Sequence, residues 1–105
     1  MFDKRIFDTV VLDLTIVIPT LNERNNLAPL VQKIKNSLDG IEWEIVFVDD
    51  ESHDGTLEEI LRINRPEPRV RVIERIGRRG LSSACIEGFM TTSADLVAVM
   101  DADHP

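Results

Sequence analysis

The most restrictive feature of this chain is a repeated change of rhythm. Short apolar runs at Leu14–Ile18 (LTIVI), Trp43–Val48 (WEIVFV), Val70–Ile73 (VRVI) and Leu96–Met100 (LVAVM) are separated by stretches whose apolar residues recur at helical spacing. Runs this short and this rich in Val and Ile read as strands, and the longer period between them reads as helices. Leu27, Leu30, Val31, Ile34 and Leu38 make the stripe of a first helix. Asn25 or Asn26 is its expected cap, Pro29 fits near its first turn, and Asp39-Gly40 is its stop. Asp54-Gly55-Thr56 opens a second helix, with Asp54 as N-cap and Leu57, Ile60 and Leu61 on the apolar face. A third carries Leu81, Ala84, Cys85 and Phe89; Ala84 and Gly88 suit close helix–sheet packing, and Cys85 reads as a small buried hydrophobe. Charges flank and interrupt Val70–Ile73, which places that strand toward an edge. The order β-α-β-α-β-α-β, with crossovers of this length, predicts an α/β fold with a parallel sheet covered by helices on both faces.

Composition narrows the function classes. The chain has 105 residues, with 19 Asp plus Glu against 12 Lys plus Arg and a net charge of -7. That balance disfavours an electrostatic grip on nucleic acid or polybasic docking onto anionic lipid. A single cysteine, Cys85, excludes an internal disulfide and a Cys-rich zinc site. No apolar run approaches the ~20 residues of a membrane span. The opening MFDKRIFDTVVL, with its two aspartates, lacks the uninterrupted apolar stretch of a signal peptide. The expectation is a cytosol-facing soluble domain, or a soluble piece of something larger, with residues 1–13 as an N-terminal extension.

In parallel α/β sheets, ligands bind beyond the carboxyl ends of the strands, where strand order reverses. The polar punctuation of this chain falls there: PTLNE, DDESHDGT, ERIGRRG and DADHP. Asp101 and Asp103 are two apart, so their side chains leave the end of the fourth strand on the same side. Converging carboxylates need a cation between them, and hard oxygen ligands suit Mg2+ or Mn2+. The bland alternative is a solvated turn in which Asp101 caps backbone amides. Alternation sends Asp49 and Asp50 apart, one toward the cleft and one toward the loop. A carboxylate there can accept from a base edge or a ribose hydroxyl, or simply order the DDES loop. No glycine-rich phosphate cradle is present, so a diphosphate would need a metal and arginines, for which Arg75, Arg78 and Arg79 are candidates. A solvated basic loop is the competing reading of those arginines. Asp50-x-Ser52-x-Asp54-Gly55 mimics the start of an EF-hand loop, but the required bidentate Glu is replaced by Leu61. His53 reads as a solvated loop residue and His104 as a free chain-end histidine.

Taken together, the segments IVIPTLNERNNL, EIVFVDDESHDGT, GRRGLSSACIEGF and LVAVMDADHP, over residues 14–105, resemble family 2 glycosyltransferases of the GT-A fold. Within that family the resemblance is strongest to dolichol-phosphate (polyprenol-phosphate) mannosyltransferases. It implies a Rossmann-like sheet forming the nucleotide-binding N-terminal half of a GT-A fold. It also implies that Pro19, Leu21 and Glu23 lie against the donor's nucleoside, with Val48 and Asp50 at the base and ribose. Asp101, Ala102 and Asp103 match the D-x-D segment, in which Asp101 and Asp103 hold the metal at the donor diphosphate and Asp103 serves the reacting centre. The implied donor is GDP-mannose and the implied acceptor is a lipid phosphate such as dolichyl phosphate, at the cytoplasmic face of a membrane, with inversion at the anomeric carbon. A phosphate acceptor is already ionised at neutral pH, so the absence of an obvious general base is no objection.

Two departures from the family pattern stand out. Glu51 occupies the position that is usually Gly in V-D-D-G-S, so the loop must differ or tolerate strain. The chain also runs straight from Asp103 to His104-Pro105, without the family's intervening polar residue. The 105 residues alone are expected to bind donor weakly and to lack appreciable transferase activity. Rival classes are a non-catalytic nucleotide-binding or regulatory module of the same fold and a response-regulator receiver domain. The receiver reading fails on order: a whole strand–helix unit precedes the acidic pair, and Lys4, Lys33 and Lys35 all come before it.

Overall fold

The computed structural model describes residues 12–77 and 81–102, with backbone alone for Leu81 and Ser82. The expectations for most of residues 1–13 and for Arg78, Arg79, Asp103 and His104 lie outside the described residues. The elements follow the order read from the sequence: β1 (Leu14–Thr20), α1 (Leu27–Ser37), β2 (Trp43–Asp50), α2 (Thr56–Asn64), β3 (Val70–Arg75), α3 (Leu81–Met90) and β4 (Leu96–Val99). A 3-10 turn, Arg24–Asn26, leads into α1. The strands form one sheet in the order β3-β2-β1-β4, and every pairing is parallel. The first two crossovers step in one direction, while the third returns past β1. Strand order therefore reverses between β1 and β4, which opens a crevice beyond their carboxyl ends.

Side-chain alternation divides the core between the two faces of the sheet. Ile16, Ile18, Ile45, Phe47 and Val70 meet Leu27, Leu30, Val31 and Ile34 of α1 and Ile60 of α2. On the other face Val17, Val46 and Val48 pack with Ala84 of α3, and Ile73 closes the cluster. Burying such a side chain contributes about 1.5–3 kcal/mol, so the apolar alternation of β1 and β2 is the main source of cohesion. Gly88 sets the approach of α3 to the sheet. A Cβ there would lie 2.3 Å from Val17 Cγ1, so no larger residue fits without moving the helix. Trp43 is buried beneath the Arg69 guanidinium, which sits 3.9 Å from the ring centroid.

Several details differ from the sequence reading. Leu61 is 44% exposed, and Ile63 packs against the core in its place. With Ile60 at the centre of the buried stripe, position 63 shares its face while position 61 is rotated away from it. Asn26 makes no side-chain cap bond to α1; its Nδ2 donates to Glu23 Oε2 at 3.0 Å. Asp54 lies one residue before the N-cap of α2, which is Gly55 with φ 92°. Cys85 is half-buried rather than enclosed. The fourth strand, for all its apolar composition, is exposed at each of its positions. β3 does lie at one edge of the described sheet. Among the described residues, no helix is long and apolar enough to cross a membrane.

Candidate functional site

The switch point, where sheets of this kind bind ligands, is bordered by the carboxyl ends of β1 and β4, with that of β2 beside β1. In β1 and β2, Pro19 pairs in register with Val48 and Thr20 with Asp49. The β4 register with β1 ends at Val17↔Val99, three residues short of the end of β1, and Met100 N makes the last bond, to Val17 O at 3.0 Å. Asp101 is exposed there, while Ala102 is buried in the cluster beneath α1 and α2.

Alternation separates the paired aspartates of β2. Asp49 turns toward the α1–α2 face, where its Oδ1 accepts from Thr20 Oγ1 (2.8 Å) and Ser52 Oγ (2.6 Å) and its Oδ2 accepts from Ser52 N (3.1 Å). It is the residue that orders the loop. Asp50 turns to the α3 face and lies beside Arg75, its register partner on β3. Arg75 Nε stands 2.6 Å from Asp50 Oδ1 in an ionic contact that is off the axis of a directed hydrogen bond. Arg75 is 0% exposed, so it does not form part of the solvated basic loop and its side chain does not reach a ligand at the rim. The diphosphate role considered for it is therefore corrected. A strand longer than Val70–Ile73, continuing to Arg75, carries this side chain under α3.

The loops after β1 and β2 are fastened together. Asn22 N donates to Ser52 Oγ (2.9 Å), and His53 N donates to Asn22 Oδ1 (3.0 Å). Glu23 N donates to Thr56 Oγ1 (2.9 Å), and Arg24 N donates to Asp54 Oδ2 (3.3 Å). Asp54 Oδ1 also accepts from the Thr56 amide at 3.0 Å and from the Thr56 hydroxyl. Burial alone would raise the Asp54 pKa, but the Thr56 hydroxyl and the Arg24 and Thr56 amides outweigh it and hold the carboxyl below the usual aspartate value. Asn22 and Glu51 both adopt positive φ, at 55° and 56°. Asn tolerates that region and Glu does so only with strain.

The expected donor-binding residues occupy different environments. Leu21 is exposed, Pro19 and Glu23 are partly exposed, and Val48 is fully enclosed, backbone included. Asp50 is 8% exposed. Asn22, Ser52 and Thr56 were not singled out by the sequence reading. Their signal is the clustering of short hydrogen-bonding side chains immediately after two neighbouring strands. Among the described residues, no group of three His, Cys, Asp or Glu side chains is placed to hold a metal. The exposed Asp101 fits a hard divalent cation that keeps part of its water shell.

The glycosyl transferase family 2 pattern matches residues 15–104. A dolichol-phosphate mannosyltransferase of Pyrococcus furiosus is 48% identical over 93 residues, which cover 87% of this chain and 26% of that protein. The Saccharomyces cerevisiae dolichol-phosphate mannosyltransferase is 33% identical over 99 residues, covering 90% of this chain and 37% of the relative. A dodecaprenyl-phosphate galacturonate synthase of Rhizobium johnstonii is 32% identical over 95 residues, covering 88% and 28%. The chain thus spans between about a quarter and two-fifths of the length of these curated relatives. Among solved structures, the mannosyltransferase PcManGT of Pyrobaculum calidifontis, in complex with GDP-Man and Mn2+, superposes with a TM-score of 0.78 at 27% identity, over 90% of this chain and 28% of that one. With that backbone match, the Rossmann-like parallel sheet is that of the GT-A glycosyltransferases. From the pattern match over nearly the whole chain, the 48% identity and the shared sheet, the chain belongs to glycosyltransferase family 2.

Proposed function

We propose that this chain is the donor-binding part of an enzyme that transfers mannose from GDP-mannose to a polyprenyl phosphate such as dolichyl phosphate, with inversion, at the cytoplasmic face of a membrane. The observation that carries this reading is the 48% identity to a dolichol-phosphate mannosyltransferase over 87% of this chain. A complex of a structural neighbour with GDP-Man and Mn2+ supports both the donor class and a divalent cation.

In this reading Pro19, Leu21 and Glu23 flank the nucleoside, Val48 lies at the base, and the Asp50 carboxylate accepts from the ribose. Asp101 and Asp103, with Ala102 between them, hold Mg2+ or Mn2+, and Asp103 stands at the reacting centre. A bound divalent cation supplies Lewis-acid stabilisation to the departing nucleoside diphosphate. The residues of this chain contribute orientation: Asp49 fixes the DDES loop through Ser52, and the bonds from Asn22 and Glu23 hold the first loop against it. An enforced geometry of this kind lowers the entropic part of a transfer barrier. The acceptor phosphate is anionic at neutral pH and attacks C1 without prior deprotonation, which agrees with the absence of an assigned base.

The rhizobial relative favours a second donor reading, a nucleotide-linked uronic acid, on the same scaffold. Binding rather than turnover discriminates these readings, because the chain spans only part of its relatives. Calorimetric titration with GDP, GDP-mannose and UDP, each with and without Mn2+, is expected to give weak, Mn2+-dependent binding of the guanine compounds. Preference for UDP would replace the mannose reading, and binding of none of the three would favour a non-catalytic module.

A further inference from the structure

We infer that Arg75 is a positioning residue for donor binding, acting through the Asp50 carboxylate and tying it to α3; this rests on the reading of Asp50 as a ribose acceptor. Arg75 is the largest fully buried side chain of the protein's described core, and no feature of the transfer chemistry uses it directly. Register places it beside Asp50, with Nε 2.6 Å from Oδ1. Its Nη1 donates to Ser83 Oγ at 2.9 Å and lies 3.8 Å from Glu87 Oε1. Ser83 and Glu87 are one helical turn apart, so both reach the guanidinium from the same face of α3. Ala84 and Gly88, each one residue further along in the same turns, pack against the sheet and fix the distance from the helix to Arg75.

The arrangement exploits a property that lysine lacks. A planar guanidinium presents donors in a rigid fork, so contacting Ser83 on one side fixes the direction of Nε on the other. The Asp50 side chain is 11% exposed and sits at the last position of β2, where the strand meets the rim. Arg75 therefore determines the angle at which this carboxylate meets the crevice. A displacement of about 1 Å at such a group is enough to cost a large part of its contribution.

Removal of one partner from a buried ion pair destabilises a protein whatever its function, so stability alone does not test this role. The readout is a double-mutant cycle on affinity, using whichever of GDP and UDP the wild-type chain binds in the presence of Mn2+, with thermal unfolding of every variant measured in parallel. Asp50→Asn and Arg75→Met are each expected to weaken binding about tenfold, and the double variant to bind no more weakly than Asp50→Asn alone, because residues acting as one unit are non-additive. Arg75→Lys keeps the charge without the fork; it is expected to fold and to show an intermediate loss of about threefold that disappears in the Asp50→Asn background. If Arg75→Met fails to fold, the Lys variant carries the cycle. Losses that multiply in the double variant, or wild-type affinity in the folded Arg75 variants, would overturn the role given to Arg75 alone. No nucleotide binding by the wild-type chain would instead strike the donor-binding reading beneath it.

Discussion

Glu51 shows how a single residue reports on the site. Its φ of 56° places it in the left-handed region, directly after the aspartates that end β2. An L-residue with a Cβ is disfavoured there by roughly 1–2 kcal/mol, whereas Gly is not. Gly is also more flexible in the unfolded chain, which offsets part of the relief. Glu51→Gly is therefore expected to stabilise the protein by about 0.5–1 kcal/mol, seen as a higher urea midpoint at unchanged slope. Glu51→Ala keeps the Cβ and should leave the midpoint nearly unchanged; equal stabilisation by both variants would show that the carboxylate, not the backbone, is the source of strain. This position was legible in the sequence because the resembling family carries Gly there. Arg75 was not legible. An arginine at a strand end looks like a solvated charge until the β2–β3 register sets it opposite Asp50.

Among the elements, α3 depends most on one small residue. Replacing Gly88 by Ala would gain about 1 kcal/mol of helix propensity on an exposed helix. Here the added methyl meets Val17 Cγ1 at 2.3 Å and Cγ2 at 2.9 Å, in a face where Val17 is fully enclosed. Overpacking of this kind typically costs about 1–3 kcal/mol, so Gly88→Ala is expected to lower the melting temperature by several degrees. A rise would mean that α3 can lift off the sheet freely. Strand positions and their order were readable because β-branched runs alternate cleanly with helical periods. The loops were harder. Asp54 before Thr56 suggested a local cap, but its second oxygen serves the Arg24 amide across the rim, a contact between segments 30 residues apart. Local patterns cannot report such contacts. The misplaced stripe of α2 has a similar origin: Leu61 and Ile63 are equally apolar, and only the packed position of Ile60 decides between them.

At the scale of the whole molecule, apolar surface is distributed unevenly. Leu96, Val97 and Val99 are exposed along β4 and Met100 just after it, and Ile86, Phe89 and Met90 are exposed on α3. β4 ends the described sheet and pairs only with β1. An apolar strand with one edge unpaired favours association with other chains, and a net charge of -7 opposes it only in part. The 105-residue chain is therefore expected to bind a hydrophobic dye and to sediment as a concentration-dependent mixture. Leu96→Lys, at a position 67% exposed, should shift that mixture toward monomer with little change in stability. Unchanged sedimentation would show that β4 is not the sticky edge. The composition of β4 was legible in the sequence and its exposure was not, because an apolar run reports what a strand prefers to touch rather than what touches it. The opposite end of β1 is far more constrained. Asn22, Glu23 and Arg24 donate to side chains of the β2 loop, and the His53 amide returns a bond to Asn22. Neither loop can peel away without stranding donors on the other, so the entrance works as one stiff lip, and a ligand that leans on either segment is braced by both.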